Sequence, residues 1–276
     1  MIPEDPLATL FQCGNTFLDV LRTAQVDAAR FKNTFQLRAS ERGYERLHNK
    51  EFSKQAICMI QLFHLYKNFG PSLALNDINL KIDEGEFVFI TGPSGAGKTT
   101  LLRMIFGEER PTSGNILING VNLNRIKGSK LALLRRNIGF VFQDFKLLSK
   151  KTVFKNVSLA LEVTGERYPF IRKKTHRTLK LVGLDHKEIS YPLQLSGGEQ
   201  QRVAIARAII QSPLILIADE PTGNLDPDLT RDIMDLFRWV HSKGTTVVIA
   251  THNRELLKEG AQRTIFLNHG RVAGEK

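Results

Sequence analysis

The chain reads as an α/β protein built on a mostly parallel central sheet, and three observations predict this. Phe87–Ile90, Leu214–Ala218 and Thr245–Ala250 are short, almost wholly apolar runs, as expected of parallel strands covered on both faces. Between them, apolar residues recur at helical spacing. The first run leads into Gly-Pro-Ser-Gly-Ala-Gly-Lys-Thr at 92–99, and Leu101, Leu102 and Ile105 then continue at helical spacing. Strand, Gly-x-x-x-x-Gly-Lys-Thr and helix in that order form a nucleotide phosphate loop.

Taken from the start, residues 1–58 differ from the rest. They carry 8 Lys plus Arg against 7 Asp plus Glu. Leu7, Leu10, Phe11, Phe17, Leu18, Leu21, Ala24, Ala28, Phe31 and Phe35 recur at roughly helical spacing before a polar stretch from Arg38 to Lys54. An N-terminal extension of one or two weak amphipathic helices and a linker is expected, or an upstream addition to a domain that starts at Met59. From Ile60 the pattern becomes strand-rich through Leu62, Leu65, Leu73, Leu75, Ile78, Leu80 and Ile82. A mostly helical insertion follows between about Lys150 and Pro192, and Gly197 opens another helix through Val203, Ala206 and Ile209. Asp226-Pro227 supplies a cap and a first-turn proline for the next helix, which Gly244 ends. Arg263–Leu267 and Arg271–Val272 read as a closing hairpin around Gly270.

In the phosphate loop each residue type answers a need of a bound triphosphate. Gly92, Gly95 and Gly97, with Pro93, Ser94 and Ala96 between them, let successive N–H groups turn inward to phosphate oxygens. The helix from Lys98 through Thr99 and Thr100 offers the positive end of its dipole to the same anion. Lys98 reaches the β- and γ-phosphates, and the Thr99 hydroxyl suits magnesium. Binding of ATP or GTP is therefore expected.

Composition narrows the class. Of 276 residues, 42% are hydrophobic and 24% charged, with 39 Lys plus Arg against 28 Asp plus Glu, the profile of an ordinary globular protein. No apolar stretch approaches the roughly 20 residues of a membrane helix. The start carries Glu4 and Asp5 and no basic leader, which argues against a signal peptide. The cysteines, Cys13 and Cys58, suit a reducing compartment better than a disulfide framework. The net charge of +11 comes with no aromatic-interleaved basic ladder, so no nucleic-acid partner is expected.

Downstream, Leu214–Ala218 ends in Asp219-Glu220. Asp219 is placed to hold magnesium, directly or through water. Glu220 can act as general base on the attacking water or hold it by hydrogen bonding. Leu195-Ser196-Gly197-Gly198-Glu199-Gln200-Gln201-Arg202 opens a helix, with a hydroxyl and free N–H groups set as a second anion cradle. One nucleotide needs one phosphate loop, so a second cradle points to a site completed by another copy of the chain.

LSGGEQQR, GPSGAGKTT and LILIADE, in this order and spacing, resemble the ABC-type ATPases across about residues 60–272. The resemblance implies a mostly parallel P-loop core sheet with an antiparallel β subdomain and a helical subdomain at about 144–196, all within an ATPase domain at 59–276. It also implies a head-to-tail homodimer holding two Mg²⁺–ATP. Ser196, Gly197, Gly198 and Glu199 would then bind nucleotide, Ser196 and Gly198 contacting the γ-phosphate held by the other subunit's Lys98. Gln143 matches the loop glutamine that senses magnesium and water, and His252 the switch histidine on the γ-phosphate. Asp226 matches the loop that crosses the dimer interface. Phe69 falls where the family stacks an aromatic on adenine, often a Tyr; Tyr66 sits three residues early.

Within the family, residues 142–165, FQDFKLLSKKTVFKNVSLALEVTG, are similar to the bacterial cell-division ATPases. This implies a peripheral subunit on the cytoplasmic face of the inner membrane, acting with an integral membrane partner in regulating septal cell-wall hydrolases. ATPases of lipoprotein-releasing or macrolide-type export, which share EPTGNLD, are the nearest alternative. A soluble non-transport ABC protein is a more distant one. A transmission surface for the partner is expected beside Gln143 and Asp144, lined by Phe145 and Leu148.

Overall fold

Two sheets share one apolar core in the computed structural model, which describes residues 58–223, 225–258 and 262–276. The reading of residues 1–58 as an extension of amphipathic helix and linker lies outside them, except for Cys58, which opens the first strand. The smaller sheet is antiparallel, in the order β2-β1-β4-β5, from β1 (Cys58–Phe69), β2 (Ser72–Asp83), β4 (Ser113–Ile118) and β5 (Val121–Asn122). The larger has the order β10-β9-β3-β8-β7-β6. Its strands are β3 (Phe87–Thr91), β6 (Ile138–Val141), β7 (Ile215–Asp219), β8 (Thr246–Ala250), β9 (Arg263–Asn268) and β10 (Arg271–Glu275). All its pairings are parallel except that of β10 with β9. The α/β class, the mostly parallel core and the antiparallel β layer are as the sequence predicts.

The three apolar runs are β3, β7 and β8, each buried along its whole length. The middle run is displaced by one residue: Leu214 is 42% exposed, and the strand runs on to the buried Asp219. The strand β6 was not distinguished by its pattern. Four residues of Ile-Gly-Phe-Val are too few to declare a period, and only pairing with β7 defines them.

Helix α1 (Lys98–Ile105) lies between the sheets, touching β2 on one side and β7 and β8 on the other. Its Leu101, Leu102, Met104 and Ile105 are fully buried. Each such side chain contributes roughly 1.5–3 kcal/mol, so the phosphate loop stands on a rigid base. Helix α2 (Gly128–Arg135) follows on the surface. Then come α3 (Val153–Glu162), α4 (Tyr168–Leu181) and α5 (Gly197–Ile209), which pack on one another while α5 also contacts β6. Helix α6 (Pro227–Ser242) packs on β8 and α5, and α7 (Arg254–Lys258) is a single short turn. Asp226 caps α6 by accepting from Leu229 N–H at 2.9 Å, and Gly244 follows its end with φ +93°.

Candidate active site

The strand β3 ends at Thr91, and the chain turns through 92–97 into α1. Gly97 has φ +101°, and a Cβ there would lie 2.8 Å from the Ala74 carbonyl oxygen, so only glycine fits. Ala96 N–H donates to Pro93 O at 3.1 Å, and Gly270 N–H to Ala96 O at 3.1 Å, tying the loop to the β9–β10 turn. No side chain caps α1, which leaves its first N–H groups as donors for an anion. Lys98 curls back over the loop, donating to Gly92 O at 2.9 Å and Pro93 O at 3.2 Å. A cavity of about 700 Å³ lies over it, lined by Pro93 to Thr100 together with Ala74, Gln143, Glu220 and His252.

The acidic strand end meets this cavity from below. Thr99 Oγ1 donates to Asp219 Oδ1 at 3.2 Å. Burial pushes the Asp219 carboxyl above its ordinary value; the Thr99 hydrogen bond opposes this and the neighbouring Glu220 charge adds to it. Glu220 has φ +49°, left-handed backbone that a non-glycine residue rarely adopts. Its N–H is held by Ala250 O at 2.9 Å. That bend places Glu220 Oε1 3.8 Å from Lys98 Nζ and Oε2 2.9 Å from His252 Nδ1. His252 N–H also donates to Oε2, at 3.3 Å. The direct Glu220–His252 pair was not anticipated from sequence, where each residue had its own task on the γ-phosphate or water. Nothing in their spacing signals it, since it depends on β7 and β8 being neighbours.

Lys98, Thr99, Asp219, Glu220, His252 and Gln143 are thus gathered at one place. The rest of the phosphate loop from Pro93 to Thr100 lines the same cavity, whereas Phe69, Ser196 to Glu199 and Asp226 do not. Phe69 closes β1, 48% exposed, with Lys67 Nζ 4.7 Å from its ring centroid. Lys67 was missed, although residues two apart on a strand share a face. Ser196 and Gly197 are exposed, outside the cavity. The Ser196 hydroxyl, expected to form an anion cradle with free N–H groups of the helix start, takes part in a capping box. Glu199 N–H donates to Ser196 Oγ at 3.3 Å, and Ser196 N–H to Glu199 Oε2 at 2.8 Å. That donation holds the Glu199 carboxyl below its ordinary value. The twin glycines had no local explanation in the sequence, but Gly198 has one here. A Cβ on it would lie 2.1 Å from Leu229 Cδ2, so α5 and α6 meet over a missing side chain. Of the expected transmission surface, Leu148 is 45% exposed, whereas Phe145 is partly buried.

Comparison with known proteins agrees with this geometry. The family model described as ABC transporter matches residues 75–223. The Cell division ATP-binding protein FtsE of Bacillus subtilis (strain 168) is 50% identical over 219 residues, 79% of this chain and 96% of that protein. FtsE of Mycobacterium tuberculosis is 49% identical over 79% of this chain and 96% of that protein. FtsE of Escherichia coli (strain K12) is 43% identical over 78% and 98%. Among solved structures, the dimeric post-hydrolysis state of the ATP-binding cassette MJ0796 bound to ADP and Pi superposes with a TM-score of 0.74 at 39% identity. It covers 79% of this chain and 98% of that one.

Proposed function

Because the chain belongs to the ABC transporter family, as an ATPase domain, we propose that it is the ATP-hydrolysing subunit of a membrane complex in cell division. Its homodimer would act with an integral membrane partner of the FtsX type to regulate septal cell-wall hydrolases. The observation that carries this reading is the convergence of Lys98, Thr99–Asp219 and Glu220–His252 on one cavity, in a chain 50% identical to a cell-division ATP-binding protein.

In this reading the ATPase domain runs to residue 276 from Cys58, one residue earlier than the expected start at Met59, with its helical insertion at about 144–196, and the residues before it form an extension. Residues 92–100 cradle the phosphates, Lys98 exchanging its carbonyl partners for phosphate oxygens. Phe69 offers its ring face to adenine. Among the described residues no group of three or more His, Cys, Asp or Glu could enclose a metal ion. A Thr hydroxyl, an Asp carboxylate and a Gln amide around one cavity nonetheless fit Mg²⁺, which keeps waters and phosphate oxygens in its shell. Thr99, Asp219 and Gln143 would hold it, and it supplies charge neutralisation on the β- and γ-phosphates. Binding there favours the ionised form of Asp219, against the effect of burial. Glu220 accepts the proton of the attacking water, and His252 orients that carboxylate from the side away from Lys98.

The exposed Ser196 and Gly197, with the buried Gly198 beneath them, Glu199 bracing the turn and Asp226 at the start of α6, reach the γ-phosphate bound by the other protomer. ATP thereby favours closure and hydrolysis releases it. No described helix is long and apolar enough to cross a membrane, and attachment to the cytoplasmic face of the inner membrane is through the partner. Leu148 and Asp144, both exposed beside Gln143, are the docking edge. Affinity capture from membranes under Mg-ATP tests the reading: one integral membrane protein encoded beside this chain should co-purify, and capture should weaken on charge reversal at Asp144. Capture of a lipoprotein-releasing permease instead would replace the division role.

A further inference from the structure

Gln143 is followed by an unusual piece of backbone. Phe145 and Lys146, neither of them glycine, have φ of +57° and +48°. Two successive side-chain-bearing residues in the left-handed region are disfavoured and persist only where the surroundings impose them. The imposing group comes from 61 residues downstream. Arg207, near the end of α5, donates Nη1 to Lys146 O at 2.6 Å and Nη2 to Phe145 O at 2.7 Å. The planar fork of a guanidinium suits two adjacent carbonyls, which a lysine ammonium matches poorly. Arg207 is partly buried, and the two carbonyl dipoles it meets compensate its charge.

The same helix begins at Ser196. Eleven residues of α-helix, roughly 16 Å, join the exposed cap to the clasp on the turn after Gln143, and Gly198 seats the near end against Leu229.

We infer that Arg207 is a positioning residue for ATP hydrolysis: by clasping the left-handed turn at Phe145–Lys146 it holds Gln143 at the cavity and makes that position follow helix α5. The inference rests on the proposed role of Gln143 in the nucleotide site.

The test uses the full chain, steady-state ATPase kinetics and thermal melting. Arg207→Met should lower kcat about tenfold, as expected when a catalytic group is displaced by a fraction of its contact distance, with KM changed less than about twofold. Lys146→Gly, which makes one left-handed position free of steric cost, should restore much of kcat when added to Arg207→Met. A purely structural arginine predicts no such rescue. If Arg207→Met does not fold, Arg207→Lys serves, with a smaller loss relieved by the same glycine. The inference is overturned if the arginine variant keeps its kcat, or if its loss persists unchanged with Lys146→Gly. Gln143→Ala separates the two levels: normal turnover there removes the underlying reading, whereas slow turnover with an unaffected Arg207→Met removes only the clasp.

Discussion

Around Lys98, groups from the phosphate loop, the end of β7, the end of β8 and the segment after β6 reach a single cavity within one chain. At the starts of α5 and α6, Ser196 and Asp226 bond to backbone N–H groups of their own first turns and otherwise face outward. The first region is a set of polar and charged groups already gathered within one chain, the reacting groups of the proposed function. The second is a stiffened surface, fixed by two caps and by the contact of Gly198 with Leu229, with no substrate position of its own. Preorganising an exposed surface lowers the cost of ordering it on association, which is what a site shared between two copies requires. The parallel sheet supplies the first region through strand order, and a helix–helix contact supplies the second.

The largest expected effect would break the first region alone. Glu220→Gln should lower kcat by about 10³-fold while ATP still binds, so that a dimer accumulates on size exclusion; normal turnover would remove Glu220 as the base. Lys98→Ala comes next, weakening ATP binding by at least about tenfold, as loss of a charge-assisted contact implies, with the melting temperature of the free protein little changed. The second region is sharpened by Gly198→Ala, which should destabilise by about 1–3 kcal/mol through overpacking against Leu229. Adding Leu229→Ala should recover part of that loss in a double-mutant cycle. An additive cycle would mean the glycine serves only the neighbouring protomer.

Smaller again is the effect of Asp219. Folding raises its pKa, so the native state takes up a proton at higher pH than the unfolded chain. Its charged form therefore costs stability above the raised pKa, and that cost is relieved as pH falls through it. Asp219→Asn should raise the neutral-pH melting temperature of the metal-free protein by about 2 °C. The gain should fade in acid and reverse in Mg-ATP.

Much of this was legible in the sequence, and unevenly so. Phe87–Ile90 and Thr245–Ala250 announce themselves as strands because both faces are buried. Gly97-Lys98-Thr99 and Asp219-Glu220 stood out because the proposed role of each follows from its own residue type. The Glu220–His252 pair and the Arg207 clasp were invisible because they depend on strand adjacency and on 61 intervening residues. Gly198 was legible as an anomaly, but its intramolecular reason sits on another helix. The period of β6 was too short to read.

The most direct test of the central claim mixes two defective chains. Lys98→Ala lacks the phosphate grip and Ser196→Arg lacks the outward cap, and each alone should hydrolyse ATP at a small fraction of the normal rate. Their mixed dimer contains one site with the lysine of one protomer and the serine of the other, both intact. Recovery of ATPase activity on mixing is the predicted result; a mixture no more active than its parts, or full activity in Ser196→Arg alone, would contradict a site shared between copies.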